Sequence, residues 1–483
     1  MANILASLNV SAGALNAFDL ALETTQNNVA NAQTPGYAVQ TQVLDSLAFN
    51  LPAGEIGGVS AGPVVSARDQ FAEQNVHNQN MLLGSATQDV NSLTQLQNLF
   101  PVSDTSGIAN ALNDLYSSFS GWATNPNDSS ARQSVMNSAA TVASTFQETA
   151  QGLTQFTQST NEQIQETVSG INQLAAQLTA DNQQIQAGNG GDAGLDANIH
   201  NTLDQLSQYV NYTATQQSDG TYSILVDGQS PLVMGSQQFT LGVQMTQPSN
   251  PPPVNANAPP HASIIGADGS DITSQVTGGQ LGSLINLRNS VLPTYIGDAY
   301  QSGSINTLAQ QFADRVNNLL TSGNVTDGPP AQAGTQLFTY DATNPTNVAQ
   351  TLAVNPSITG AQLAAIQPGP PEVANGIPLA LAGLSNPTDP ADEINGQSFT
   401  GYYADIASSV GTALNQATDQ QTAQQSALAQ AQNLRQQASG VNLDQEAVNM
   451  VQFQKAYDAN SRFVEVIDTI TSDIINMIAT TAA

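Results

Sequence analysis

Apolar residues recur over the first thirty positions with a period of seven. Leu8, Leu15, Leu22 and Val29 share one register, and Ile4, Ser11, Phe18 and Thr25 share the register four residues earlier. This spacing predicts one amphipathic helix over residues 3–31 with a coiled-coil-like seam. A second seam lies at the other end of the chain: Leu443, Met450, Tyr457, Val464, Thr471 and Ile478 in one register, Phe453, Asn460, Ile467 and Ile474 in the other. Neither stripe has an apolar partner nearby in sequence. Burying each against the other folds the chain back on itself, with its ends together and the remainder projecting away. The stripes alone are those of an intramolecular core pair or of an assembling pair.

The first helix runs into Asn31-Ala32-Gln33-Thr34-Pro35-Gly36-Tyr37. Pro35 cannot continue it, and Pro-Gly fits the central positions of a type II turn. Alternation at Tyr37, Val39, Thr41 and Val43 then predicts a half-buried strand. Residues 68–210 are rich in Gln, Asn and Ala with helical periodicity, and predict several long helices broken near Pro101, Pro126 and Gly188–Gly194. Between 211 and 277, Tyr222–Val226 precedes Asp227-Gly228 and Leu232–Met234 precedes Gly235, two strand-then-turn patterns. Pro251–Pro253 reads as a rim loop. Helical pattern returns over 280–320, and again as a long polar helix over 402–435; between them, 325–398 is rich in Pro, Gly and Asn.

The expected fold class is mainly α, elongated and multi-domain, with a coiled-coil-like terminal helix pair and inserted β-rich outer domains. Residues 1–50 and 440–483 are expected to form the terminal core. Residues 51–210, 278–324 and 399–439 form a helical domain, 211–277 a β-rich outer domain, and 325–398 an irregular or β-rich insertion.

Charge narrows the function classes. There are 37 Asp+Glu against 7 Lys+Arg, a formal net charge of −30, which disfavours nucleic acid and anionic membrane surfaces as partners. Charged residues are nevertheless only 9% of the chain. The surface is therefore mostly neutral and polar, which suits close packing of identical copies and equally a low-charge secreted monomer. Cysteine is absent, removing disulfides, thiolate metal sites and a cysteine nucleophile. The first eight residues lack the basic and apolar regions of a secretory signal. No segment approaches 18 uncharged apolar residues, so no membrane span is expected; the chain is cytoplasmic or is exported without a cleaved signal.

Candidate chemistry is sparse. His77, His200 and His261 fall in three predicted segments, none with an i,i+4 histidine, and read as structural or surface residues rather than ligands. The stretch Gly188–Asp196 resembles one Gly/Asp calcium repeat, but a single copy reads as a helix-joining turn. Lys455 is the sole lysine, so no phosphate-binding loop with its lysine exists. No catalytic, cofactor-binding or metal-binding residues are expected, and no enzyme activity. Lys455 and Arg462 share one face beside the C-terminal seam, where they pair with acids of an adjacent copy or serve solubility. Arg288 either crosses an interface or fixes its own domain.

Four separated blocks resemble a known family. Thr25–Tyr37 looks like the N-terminal motif of flagellar rod, hook and hook-associated proteins, departing from it at Ala38-Val39, where a polar and a basic residue are usual. Ser439-Gly440-Val441-Asn442-Leu443-Asp444-Gln445-Glu446-Ala447, continuing through Phe453–Asn460, resembles the matching C-terminal motif. Gly278–Arg288 with Leu292-Pro293, and Gly190–Asp192 followed by Leu203–Val210, are similar to flagellar hook-associated protein 1, which joins hook to filament. The resemblance implies a structural subunit whose terminal helices continue the axial lattice. Its implied partners are copies of itself in a ring, hook protein, a second hook-associated protein on the filament side, and an export chaperone on the C-terminal helix, with no cofactor. It also implies type III export to an extracellular position in the flagellum after transient cytoplasmic residence. The expected assembly contacts are Leu8, Leu15, Leu22, Val29, Pro35, Gly36, Tyr37, Leu443, Met450, Phe453, Tyr457, Val464, Ile467 and Ile474. The alternatives are another axial component such as hook protein, or an extracellular enzyme or adhesin with flagellar-type ends.

Overall fold

A computed structural model describes residues 2–50, 55–103, 105–248, 251–255 and 257–481. The seam position Ile478 has its side chain outside the described residues. Helix α1 (Ala2–Ala30) leads into an antiparallel hairpin of Gln40–Ser46 with Val59–Ser66. The hairpin thus runs past residue 50, where the terminal unit was expected to stop, and it packs against α1. Four helices then fill the stretch read as broken helix: α2 (Gln70–Gln97), α3 (Ile108–Thr124), α4 (Ser129–Gln184) and α5 (Ala193–Tyr209). Asp69, Asp128 and Asp192 cap α2, α4 and α5, each carboxylate accepting from a first-turn backbone N–H. The Gly188–Asp196 stretch is accordingly the joint between α4 and α5, with the Asp192 carboxylate occupied by its cap.

The β-rich part is a four-stranded antiparallel sheet in the order Tyr212–Gln216, Tyr222–Val226, Ser230–Met234, Gln237–Gln238, beside a ribbon of Gly242–Thr246 with His261–Ile265. Asp227 and Gly228 turn the central hairpin with φ of 49° and 68°, the left-handed pair that such tight turns demand. Ile224, Val226, Val233 and Ile264 from these strands pack into one core with Ile164, Ile171 and Leu178 of α4 and Leu203 of α5. Leu281 of α6 (Gly279–Asn286) completes it.

A second core forms around the other half of α4. Phe119 and Trp122 of α3, Phe146 of α4 and Phe312 of α8 (Ser304–Ser322), which follows the short α7 (Pro293–Ile296), are buried with Phe399 and Tyr403. The last two belong to α11 (Phe399–Ser439). Residues 325–398, expected as an insertion, supply Leu337, Phe338, Leu352 and Leu363 to this same core, and Leu381 from α10 (Gly376–Gly383). The segment holds only short strand pairs, besides α10 and the one-turn α9 (Val348–Thr351). Its backbone groups therefore need partners from the helices. Asn317 on α8 supplies them, donating to Phe338 O at 2.9 Å and accepting from Leu337 N and Phe338 N. Arg132 on α4 donates to Leu363 O at 3.0 Å while its guanidinium lies over the Trp122 ring. Composition alone separated this segment; its buried apolar residues join it to the helices.

The chain closes with α11, packed along α2, and α12 (Leu443–Thr481), which returns to α1. By length and apolar character, Ile4–Ala30 passes as a bilayer-crossing helix, contrary to the expectation that no segment would. Its packing on α12 and the hairpin, and the polar Asn9, Ser11, Asn16, Asp19 and Asn28 along it, mark a helix made for protein contacts.

Phe312 meets the rings of Tyr116, Phe338 and Phe399 at 5.5–6.4 Å and is fully buried. Phe312→Ala is expected to lower unfolding free energy by about 3–5 kcal/mol through the cavity it leaves. An unchanged urea midpoint would show that the 325–398 segment is not part of this core.

Candidate assembly interface

Of the two α1 registers, the leucine register lies off the buried line, whereas Ser11 and Thr25 of the companion register lie on it. The enclosed line is Ser11, Ala14, Ala17, Ala21, Thr25 and Asn28, whereas Leu8, Leu15 and Leu22 are half-buried and Val29 is exposed. Two neighbours account for this. The hairpin and α12 both contact α1, and along the line of closest approach only small side chains fit, so the leucines flank it. On α12, Met450, Phe453, Tyr457, Val464 and Ile474 are half-buried and Ile467 is buried, while Leu443 at the helix start is half exposed.

Asn28 ties these elements together. Its Nδ2 donates to Gln40 O at 2.8 Å and to Glu446 Oε2 at 3.2 Å. Its Oδ1 accepts from Gln40 N at 2.9 Å and from the Tyr37 hydroxyl at 2.8 Å. One buried amide thus satisfies both backbone groups of the first strand residue, fixes the turn, and reaches 418 residues along the chain to the first turn of α12. Burial, helped by the charges of Glu446 and Asp196, pushes the Tyr37 phenol up to about 12, so the hydroxyl stays a donor.

The Pro35-Gly36 turn rests on α5. Pro35 is exposed, and Gly36 has φ of 77°. A Cβ there would lie 2.3 Å from Ala197 O, so both conformation and space require glycine. Arg68 locks the turn in place: it donates to Gly36 O at 2.7 Å, to Asp196 at 2.7 Å and to Glu73 at 2.6 Å. Arg435 of α11 donates to the other Glu73 oxygen at 3.0 Å and to Asp204 at 2.8 Å. Ser439, ending α11, accepts from Val39 N through its carbonyl and from Asp69 N through its hydroxyl, both at 2.9 Å. The terminal unit is therefore bonded to α2, α5 and α11 at one buried ionic joint. Periodicity could not reveal this joint, because its charges come from residues up to 367 positions apart.

His77 and His200, placed in separate segments by sequence, also meet at this joint. One ligand-capable atom from each, with one from Glu73, all lie within 4.8 Å of one another. His261 stands elsewhere, 3.6 Å from Asp298. Arg288 turns inward, donating to Asn161 at 2.8 Å and to Pro260 O; it fixes its own domain.

The face of α12 turned away from α1 exposes large apolar side chains among charged ones. Val448, Val451, Val466, Ile470 and Met477 are 45–63% exposed on it, and Lys455 and Arg462 stand in the same stripe, exposed. Neither has an ion-pair partner among the described residues.

A helix pair formed by the two chain ends, seated on a strand hairpin, corresponds to two terminal family models. Residues 8–37 match the flagella basal body rod protein and 432–477 match the C-terminal region of the FlgEFG rod proteins. This is the class of flagellar rod-type axial proteins. Between them, residues 93–338, just over half of the chain, match the helical domain of flagellar hook-associated protein FlgK. The chain belongs to the flagellar hook-associated protein family. It is 28% identical to flagellar hook-associated protein 1 of Bacillus subtilis, covering 99% of both chains, and 25% identical to that of Escherichia coli, covering 97% of this chain and 99% of the other. The hook junction protein FlgK of Burkholderia pseudomallei shares the fold with a TM-score of 0.61 at 18% identity, over 75% of this chain and 99% of its own.

Asn28→Ala removes four hydrogen bonds at once. It is expected to cost about 1–3 kcal/mol and to speed amide exchange in residues 37–42 and in the first turns of α12. Gly36→Ala should open the same region further by lifting the turn off α5. Wild-type exchange rates in both variants would refute the joint as the fastening of the terminal unit.

Proposed function

We propose that this chain is a non-catalytic structural subunit of the junction between flagellar hook and filament. Its axial unit comprises α1, the hairpin and α12, and it assembles with copies of itself in a ring through the terminal helices. Hook protein lies on one side and a second hook-associated protein on the other. In this reading the chain leaves the cytoplasm through the flagellum's own type III apparatus, with an export chaperone on the C-terminal helix.

The observation that carries the reading is the outward stripe of α12. One face of the helix already packs on α1, yet Val448, Val451, Val466 and Ile470 stay in water on the other. Exposed apolar area of this kind costs about 25 cal/mol per Å² until a partner covers it, and a repeated lattice contact covers it in every subunit. Lys455 and Arg462 within the stripe favour an acidic neighbour. Another copy supplies one, since exposed Asp19 and Glu23 lie on α1. The names of the relatives support the same place in the flagellum, and their family is structural. Most of the proposed contact set, from Leu8 to Val29 and from Met450 to Ile474, stays only partly covered within one subunit, leaving area for neighbours.

Deleting the chain from its source bacterium is expected to leave hooks without filaments and to abolish swimming. Val466→Asp with Ile470→Asp should keep the wild-type circular dichroism spectrum, because both side chains point away from α1, yet fail to restore swimming. Normal filaments in the deletion strain would overturn the proposal. A label distributed along the whole hook, rather than at its distal end, would favour the hook-protein reading instead.

A further inference from the structure

Glu73 and His77 lie one turn apart on α2, and His200 and Asp204 one turn apart on α5. Their side chains are 6%, 14%, 8% and 18% exposed. His77 Nε2 and Asp204 Oδ1 face each other at 3.3 Å, and beside them the buried His200 Nδ1 has no hydrogen-bond partner among the described residues. A buried polar atom left unpaired costs about 1–3 kcal/mol, and this one lies in a cluster where ligand-capable atoms of Glu73, His77 and His200 are all within 4.8 Å of one another. The other nitrogen of His200 is already engaged, with Nε2 3.2 Å from the Tyr222 hydroxyl and 3.6 Å from Asp196. An imidazole held on one nitrogen by such partners presents the other as a ligand.

We propose that Glu73, His77 and His200, with Asp204 as fourth donor, form a site for one divalent transition-metal ion of the zinc class. The donor set selects the metal: two imidazole nitrogens and carboxylate oxygens suit zinc, cobalt or nickel, whereas calcium and magnesium take oxygen alone. Ligation needs neutral imidazole, and burial, with the nearby charge of Arg68, lowers the pKa of His200 well below the usual value. The surrounding charge also tolerates a cation. Glu73, Asp196 and Asp204 face Arg68 and Arg435 across the joint, so three negative groups meet two positive ones. Both Glu73 oxygens accept from an arginine, which leaves a second lone pair on each for the metal. Tetrahedral zinc places its donors about 3.3 Å apart, so side-chain torsions must draw the cluster inward from its spacing of up to 4.8 Å. The ion would pin α2 to α5 directly, and α11 through the arginine that Glu73 and Asp204 share. It would rigidify the joint on which the terminal unit sits. The inference does not depend on where in the flagellum the chain works.

The test uses the full-length chain stripped with chelator and titrated with zinc chloride and with cobalt chloride. One equivalent of zinc is expected to bind saturably and to raise the melting temperature. Cobalt should give the intense visible bands of a four-coordinate nitrogen–oxygen site. His77→Gln with His200→Gln should abolish both effects, while magnesium and calcium at the same concentration leave the wild-type melting temperature unchanged. If the double variant does not fold, the cobalt spectrum of the wild type decides: weak six-coordinate bands overturn the proposal. No saturable zinc binding, undiminished binding in a folded double variant, or an equal shift with magnesium would each overturn it too. These outcomes place the metal on exposed carboxylates or leave His200 Nδ1 to a water.

Discussion

Two helices from opposite ends of a 483-residue chain stay together only if something fixes both at one point, because an apolar stripe by itself permits sliding by a turn. The Asn28 side chain is that point. It is saturated by the first strand residue, by Tyr37 and by Glu446, and a slide of either helix would leave a buried amide and a buried carboxylate unpaired. Hydrogen-bond geometry thus sets the register, and apolar burial supplies the driving force. The Thr25–Tyr37 block and the Asn442–Glu446 block, which look unrelated in sequence, are two halves of one bonded structure.

The same joint dictates how the rest of the chain hangs from the terminal unit. Gly36 lies against α5, and the Arg68–Glu73–Arg435–Asp204 chain of ion pairs reaches α2, α5 and α11. Buried pairs of this kind contribute little net stability but are costly to break singly. Their effect here is orientation: the hairpin and the helices meet at a fixed angle because each charge has one place to go. Beyond the joint, α4 runs through both cores, carrying Phe146 in one and Ile171 in the other, so the helical and β-rich parts share a single long strut.

Much of this was legible. The helix breaks at Pro101, Pro126 and the glycines of 188–194 were readable because proline and glycine act locally, and the Asp227-Gly228 turn because its dihedrals demand those residues. The phase of the α1 seam was not. The leucine repeat marks the largest apolar side chains, but a helix pressed from two sides buries its smallest, and Ala14, Ala17 and Ala21 carry no signal of their own. The joint was hidden for another reason. His77, Asp204 and Arg435 are ordinary polar residues in three helices, and only the packing of α2, α5 and α11 makes them neighbours. The 325–398 segment misled through composition: its prolines and glycines suggest a separate body, while Leu337, Phe338 and Leu381 decide that it belongs to the helical core.

The economy of positive charge connects fold to assembly. Seven basic residues serve a chain of net charge −30, and all the arginines before α12 are turned inward. Arg68, Arg315 and Arg435 sit in ion pairs, and Arg132 and Arg288 hold backbone carbonyls. Outside α12 the exposed charges of the described residues are all acidic, and single apolar side chains such as Phe49 and Phe71 also reach water. The outer stripe of α12 is the exception, because there Lys455 and Arg462 stand among exposed valines and isoleucine. A neighbouring acidic helix meets both attraction and apolar area on that face.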